Sequence, residues 1–366
     1  MKVLYCTETF WPHIGGIEIH ALRYLPAMKN RGHEFIVFTS HSGLNLPDKS
    51  IYRGTPIYRF HFHKTLTDRN IVALKSIRNH IARLKQSFKP DLVHINSITP
   101  DTFFHIHKNN PYHLPLLLTI HGLPMIKLSG HNPFLKKTLR SANWIAAVSK
   151  SSLMKTRQIE PKISSRSSVI YNGLDIPDIQ PQPLPFDAPC LLCLGRLFPY
   201  KGFDLALTAF SMIRDRFPHA RLVIAGNGPE KFNLEKQVKA LNIIHQVLFK
   251  DWVNPERIPD LINEATMVIM PSRSETFGLV ALETAQMARP IVATRVGGLP
   301  EVIDHQKTGL LIDKDDLEGL GKAIIYLLEH PDIAEQMGQA AKIRAQKMFS
   351  LEQHIDAYDN LYKKLN

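Results

Sequence analysis

The sequence predicts an α/β protein of two parallel-sheet halves, and three observations carry that reading. Short apolar runs alternate with longer segments whose apolar residues recur every three or four positions. Most apolar runs end in Gly, Pro or a polar loop before the next periodic segment begins. The pattern stops at a proline-rich stretch near the middle of the chain and then restarts. A length of 366 residues also favours two domains over one.

In the first half, residues 3–6 read as a buried strand. Gly15 and Gly16 end the loop after it, and a helix follows with Ile19, Leu22 and Leu25 on its apolar side. Gly32 stops that helix and residues 34–39 form the next strand, so the segment is a βαβ unit, the seed of a parallel sheet. The glycine pair stands at a strand-to-helix turn, where backbone can approach a ligand closely. Positions 11–18 hold no G-x-G-x-x-G, so this is not the dinucleotide fingerprint. Residues 71–88 read as a helix with Ile71, Leu74, Ile77, Ile81, Leu84 and Phe88 inward. Lys75, Arg78, Arg83 and Lys85 fall on its other face. Residues 91–95, 116–120 and 144–148 are further strands. The second of these runs straight into His121, at a strand end of the kind where open α/β sheets bind ligands.

Prolines 177, 181, 183, 185 and 189 are too dense for a helix or a central strand, and the stretch reads as an interdomain linker. The pattern restarts with a strand at 190–194, whose exit turn opens with Gly195-Arg196. A helix at 203–214 and a strand at 220–225 lead to the loop Gly226-Asn227-Gly228-Pro229. A helix at 230–241, a strand at 247–249 and a helix at 255–263 precede the strand 265–270. That strand stops at Pro271, and a polar loop enters a helix near Gly278. Residues 290–294 and 310–312 are the last strands, with helices at about 316–330 and 332–348 and an amphipathic tail. We delimit an N-terminal domain at 1–178, a linker at 179–189, a C-terminal domain at 190–350 and a terminal helix at 351–366.

Composition narrows the setting. The hydrophobic share of 44% is ordinary for a globular protein. No apolar run approaches the ~20 residues of a membrane span, and the N-terminus lacks a signal-peptide pattern. Three cysteines point to a reduced, cytoplasmic compartment, and Cys190-x-x-Cys193 lies inside an apolar run with no second pair, as core cysteines do. The net charge of +12 is uneven. Residues 1–180 carry 24 Lys+Arg against 10 Asp+Glu, and residues 181–366 carry 21 against 23. A basic front half fits an anionic or lipid-linked acceptor at a membrane surface on its inner face. No recognition motif or aromatic-interleaved basic patch supports nucleic acid as a partner.

The second half concentrates chemistry at its strand ends. Arg196 and Lys201 follow the first strand, Gly226 and Gly228 the second, Glu275 and Glu283 the strand at 265–270, and Gly297-Gly298 the next. Right-handed connections put these loops on one sheet edge. Cations and a helix N-terminus fit a diphosphate, and paired carboxylates fit the hydroxyls of a ribose and a sugar. That is the chemistry of a nucleotide-sugar.

Over nearly its whole length the chain resembles the retaining glycosyltransferases of family four, which have the GT-B fold of two Rossmann-like domains facing across a cleft. The motifs that carry the resemblance are WPHIGGIEIH (11–20), TIHG (119–122), VSKSS (148–152) and VIYNGLD (169–175). In the second half they are GRLFPYKG (195–202), AGNGPE (225–230), MPSRSETFGLVALE (270–283, with its E-x7-E spacing) and VGGLPEVI (296–303). The resemblance implies roles. Gly15 and Gly16 approach the donor diphosphate, and Arg196 and Lys201 hold the phosphates. Glu275 accepts from sugar hydroxyls, and backbone N–H groups around Thr276, Phe277, Gly278 and Leu279 touch sugar and phosphate. Glu283 takes the ribose hydroxyls, His121 contacts the sugar, and the base lies beside Gly226, Gly228 and the loop ending at Val253. It further implies a UDP- or GDP-sugar donor, a glycan or lipid-linked acceptor, no metal or other cofactor, and a C-terminal helix that packs back on the first domain. Asp251 stands where the family usually has glycine. A sugar-nucleotide epimerase or hydrolase on the same fold is the nearest rival. A Rossmann dehydrogenase is disfavoured by the missing fingerprint.

Overall fold

A computed structural model describes residues 1–13, 15–99, 101–106, 114–122 and 133–366. Ile14, within the WPHIGGIEIH motif, lies outside the described residues. The chain divides into two compact units. Met1–Asn172 and Leu351–Asn366 form the first, and Gly173–Ser350 the second.

The first unit is built on eight strands: β1 (Lys2–Cys6), β2 (Glu34–Ser40), β3 (Lys49–Tyr52), β4 (Thr55–Phe60), β5 (Leu92–Ile95), β6 (Leu116–Ile120), β7 (Trp144–Ala147) and β8 (Ser167–Val169). Their order is β3-β4-β2-β1-β5-β6-β7-β8, and only β3 and β4 pair antiparallel. Side chains alternate between two helix-covered faces. Val3, Tyr5, Phe35 and Val37 face one core, and Leu4, Cys6, Ile36 and Phe38 the other. This is why these strands read as unbroken apolar runs. The β3–β4 hairpin escaped the sequence reading because β3 is an edge strand with a half-exposed pattern and no apolar run. Its two-residue turn, Arg53-Gly54, has positive φ at both positions, the hairpin geometry that suits a right-handed twist.

The helix Ile71–Phe88 has the expected bounds, but two of its face assignments are corrected. Ile71 is 67% exposed, and Lys85 is buried. Lys85 lies four residues after Ile81, so the helical period itself turns it inward. Burial lowers the pKa of its ammonium.

The helix Leu351–Leu365 joins the first unit through a polar seam on a buried face. Tyr362 Oη lies 2.8 Å from Tyr24 Oη and 2.7 Å from His94 Nδ1. Tyr358 Oη meets Thr119 Oγ1 at 2.8 Å, and Asp359 meets His33 at 2.8 Å. His354 Nδ1 donates to the Tyr171 carbonyl at 2.6 Å.

The second unit has six parallel strands: β9 (Cys190–Leu194), β10 (Arg221–Ala225), β11 (Val247–Lys250), β12 (Met267–Met270), β13 (Ile291–Thr294) and β14 (Leu310–Ile312). The order is β11-β10-β9-β12-β13-β14. Leu191, Cys193, Leu222, Ile224, Met267 and Ile269 build one core against the helices Phe203–Ile213 and Leu317–Glu329. Cys190 and Cys193 are buried and free.

The proline-rich stretch belongs to this second unit. Gln182 N–H donates to Asn263 Oδ1 at 2.9 Å, and Thr266 Oγ1 donates to the Pro185 carbonyl at 3.0 Å. The buried Arg289 guanidinium donates to the Gln182 and Met287 carbonyls at 2.8 and 3.1 Å. Among the described residues, no helix is long and apolar enough to cross a membrane.

Candidate active site

The C-terminal edge of the second sheet gathers most of the residues singled out in the sequence. The loop after β9 carries Arg196 and Lys201, and the loop after β12 carries Glu275 and Thr276. Lys201 Nζ donates to Glu275 Oε2 at 2.7 Å, and both side chains are mostly buried. The other carboxylate oxygen, Oε1, accepts the Thr276 N–H at 3.2 Å. Glu275 is therefore fixed by a cation on one side and its own loop on the other. Arg196 is exposed, with its guanidinium 5.6 Å from the centre of the Phe198 ring. It has no carboxylate partner among the described residues.

Gly278 begins the helix Leu279–Gln286 with φ of +104°, a conformation that excludes most side chains, and no side chain caps that end. Its first-turn N–H groups and its dipole favour an anion. Phe277 is buried and packs edge-on against Phe349, so its side chain belongs to the core. Glu283 sits half-buried one turn into the helix. Gly226 and Gly228 follow β10, and Val253 follows β11, on the same edge.

Two features of this edge were not read from the sequence. Arg273 staples the two central loops together. It donates to both carboxylate oxygens of Asp204, at 2.8 and 2.6 Å, to Asp315 at 2.8 Å and to the Pro199 carbonyl at 2.8 Å. These hydrogen bonds, Asp204's first, raise the pKa of its guanidinium further above its already high value. The second feature is close backbone contact. A Cβ on Gly202 would overlap the Pro271 carbonyl, and one on Gly297 would overlap the carbonyl of Glu275. The only sequence signal for the staple was an arginine inside a serine loop.

His121, Gly15 and Gly16 belong to the first unit. Gly15 is the N-cap of the helix Gly16–Asn30, with extended backbone and no side-chain cap bond. A Cβ there would strike the Glu18 carboxylate, which also accepts a hydrogen bond from Thr9 Oγ1. His121 follows β6, is buried, and bonds Asn96 Oδ1 at 3.0 Å through Nε2. Burial brings its pKa down to about 3, with His354 nearby adding to the effect, so the ring is neutral at pH 7. Among the described residues, no cluster of three or more His, Cys, Asp or Glu has the geometry to hold a metal ion.

Comparison with known proteins places the chain in a family and a fold. Residues 14–177 match the family model for Glycosyltransferase Family 4, and residues 176–344 match that for glycosyl transferases group 1. An uncharacterised glycosyltransferase of Methanocaldococcus jannaschii is 26% identical, with 100% of this chain and 99% of the relative covered. Among solved structures, the sucrose-phosphate synthase of Thermosynechococcus elongatus superposes with a TM-score of 0.87 at 21% identity, covering 100% of this chain and 98% of that one. Anabaena HepE, solved in complex with UDP, superposes at 0.82 and 20% identity, with both chains fully covered at 100%. Two parallel-sheet α/β units of this topology define the GT-B glycosyltransferase fold. The chain is a glycosyltransferase of the family four type, and so an enzyme.

Proposed function

We propose that the enzyme moves a hexosyl group from a UDP- or GDP-sugar to a glycan or lipid-linked acceptor, with retention of anomeric configuration. The product belongs to a cell-surface polysaccharide, lipopolysaccharide or glycolipid. The observation that carries this reading is the joint placement of Arg196, the Lys201–Glu275 pair and the uncapped helix end at Gly278 on one sheet edge.

In this reading Arg196 binds the diphosphate and stabilises it as it leaves, and Lys201 turns part of its charge from Glu275 to a phosphate oxygen. Glu275 and Glu283 accept from hydroxyls of the sugar and the ribose. The acceptor oxygen bonds to the anomeric carbon on the face from which the diphosphate departs. The diphosphate leaves with the electron pair of the broken C–O bond, and its oxygen takes the acceptor's proton. Positive charge and the helix dipole then suffice without a metal.

The test is to incubate purified enzyme with UDP- and GDP-hexoses, a panel of glycan and lipid-linked acceptors, and EDTA, and to read products by NMR. An α-linked product from an α-linked donor in EDTA supports the reading. Sugar release or epimerisation without an acceptor favours the epimerase or hydrolase. Peripheral membrane contact is a second part of the proposal. It is supported by the exposed Ile71 and Val72 beside the exposed Lys64, Arg69 and Lys75. No sedimentation with anionic vesicles at low salt would remove it.

A further inference from the structure

Arg273 is almost fully engaged by the protein around it. Its Nε donates to Asp315 at 2.8 Å, and its Nη1 to Asp204 Oδ1 and to the Pro199 carbonyl at 2.8 Å each. Its Nη2 donates to Asp204 Oδ2 at 2.6 Å. A guanidinium has five N–H donors, and these bonds occupy all but one. Arg273 therefore differs from Arg196, whose guanidinium has no carboxylate partner among the described residues. Asp204 and Asp315 both remain partly exposed, so the ion pairs alone add little to stability. What the two-pronged bond to Asp204 fixes is geometry, since it sets orientation as well as distance.

The loops it joins are those of Lys201 and Glu275. Pro199 stands two positions before Lys201, in the turn Pro199–Lys201, and Arg273 stands two positions before Glu275. The Arg273 backbone N–H also donates to the Tyr200 carbonyl, at 2.7 Å. Gly202, with φ of +69°, lies so close to the Pro271 carbonyl that no side chain fits between them. The loops are thus linked through side chains twice, once by Arg273 and once by the 2.7 Å Lys201–Glu275 pair. In the proposed reaction the second link weakens, because Lys201 turns part of its charge to a phosphate oxygen. The Arg273 bonds use Asp204, Asp315 and a carbonyl, none of which that step needs.

We propose that Arg273 is a positioning residue for the Lys201–Glu275 pair, fixing the spacing of the two loops and keeping it when Lys201 turns from Glu275 to the diphosphate. This rests on the proposed use of a nucleotide-sugar at this edge. A lysine at 273 keeps a charge and loses the fork, so it does not replace the arginine.

The experiment has two arms. In the first, ligand-free protein is treated briefly with acetic anhydride, and mass spectrometry reads the labelling of Lys201 against that of the exposed Lys322. Wild type, Arg273→Ala, Arg273→Lys, Asp204→Asn and Asp315→Ala are compared, with Glu275→Gln showing the rate of an unpaired Lys201. In the second, kcat and KM for UDP-glucose and GDP-mannose are read as release of UDP or GDP, with and without glycan and lipid-linked acceptors.

Lys201 is expected to label slowly in the wild type and several times faster in Arg273→Ala, approaching Glu275→Gln. Arg273→Ala is expected to lose about 10- to 100-fold in kcat with a smaller change in KM, because displaced groups cost the transition state most. Arg273→Lys and Asp204→Asn should fall between it and the wild type. Asp315→Ala cuts only the bond to the third loop. It is expected to lower the melting temperature slightly, to leave Lys201 labelling as in the wild type, and to lose no more than about threefold in kcat. Should Arg273→Ala fail to fold, Arg273→Lys and Asp204→Asn decide the matter in its place. Wild-type labelling of Lys201 in the Arg273 variants overturns the proposal. So does a lower melting temperature with unchanged kcat, which would confine Arg273 to the fold. Failure of the wild type to release UDP or GDP from either donor counts against the donor reading, and the labelling still decides whether Arg273 holds the pair.

Discussion

The two sheet edges manage charge in opposite ways. On the second unit, the candidate groups are ionic and reach solvent: Arg196 is exposed, and Lys201 is balanced by Glu275 across 2.7 Å. On the first unit, the groups around His121 are neutral and buried, with hydrogen bonds to Asn96, Thr119, Tyr171 and Tyr362 in place of ion pairs. An edge of paired charges suits a polyanion that arrives with its own counter-charge to exchange. An edge of neutral donors and acceptors suits hydroxyls, where a full charge would be costly to desolvate. In the proposed reading, the diphosphate is held by the ionic edge of the second unit.

The largest expected effect falls on the ionic edge. Arg196→Ala is expected to lower kcat/KM by about 100-fold or more, since it removes positive charge from a leaving diphosphate. Its exposure predicts little change in urea stability. Initial-rate kinetics check this, and a loss confined to KM would mean that Arg196 binds without stabilising the transition state.

The neutral edge is expected to fail in acid. Burial holds His94 and His121 at about 3 and His354 at about 4. The unfolded chain protonates these groups near 6.5 and the folded state does not. The stability they contribute is therefore fully present above about 6.5 and is lost as pH falls toward 4. Each histidine removes up to about 1.4 kcal/mol per pH unit. Asp101, raised to about 7 by burial, acts in the opposite sense and offsets part of the loss. Urea melts at pH 7.5 and 5.0 separate the units by fluorescence, with Trp144 reporting the first and Trp252 the second. A first unit that weakens no more than the second in acid breaks the comparison.

The smallest effect concerns Lys85. Its ammonium is buried on the inner face of its helix, with no carboxylate partner among the described residues. Lys85→Met keeps the apolar stem and removes the desolvation cost. It is expected to change stability by no more than about 1 kcal/mol, in the stabilising direction. A loss of several kcal/mol in urea denaturation would show that the charge has a structural role.

Much of the fold was legible because the strands are buried on both faces and so read as apolar runs broken by loops. The β3–β4 hairpin was not, because an edge strand needs no such run. Lys85 was misplaced by residue type, although its spacing from Ile81 already turned it inward. At the site, the sequence singled out Lys201 and Glu275 separately as contacts for a ligand. Only the structure shows that they bind each other across 74 positions. The Arg273 staple joins Asp204 from 69 positions away, and Tyr362 reaches His94 from 268. Pairings of that range leave no periodic trace in one sequence. The proline-rich stretch signalled extended backbone, but its prolines carried no sign that Arg289, Asn263 and Thr266 bind it along the second unit.

The central claim is that the ionic edge of the second unit binds a nucleoside diphosphate sugar. Thermal melting of the wild type, Arg196→Ala and Glu283→Ala against a panel of UDP- and GDP-sugars tests it most directly. At 100 times the dissociation constant, a bound donor adds about 2.7 kcal/mol, a shift of several degrees. The account predicts that one nucleotide class raises the wild-type melting temperature by that much and raises the two variants by much less. No shift of the wild type with any nucleotide-sugar, or equal shifts in all three proteins, would contradict it.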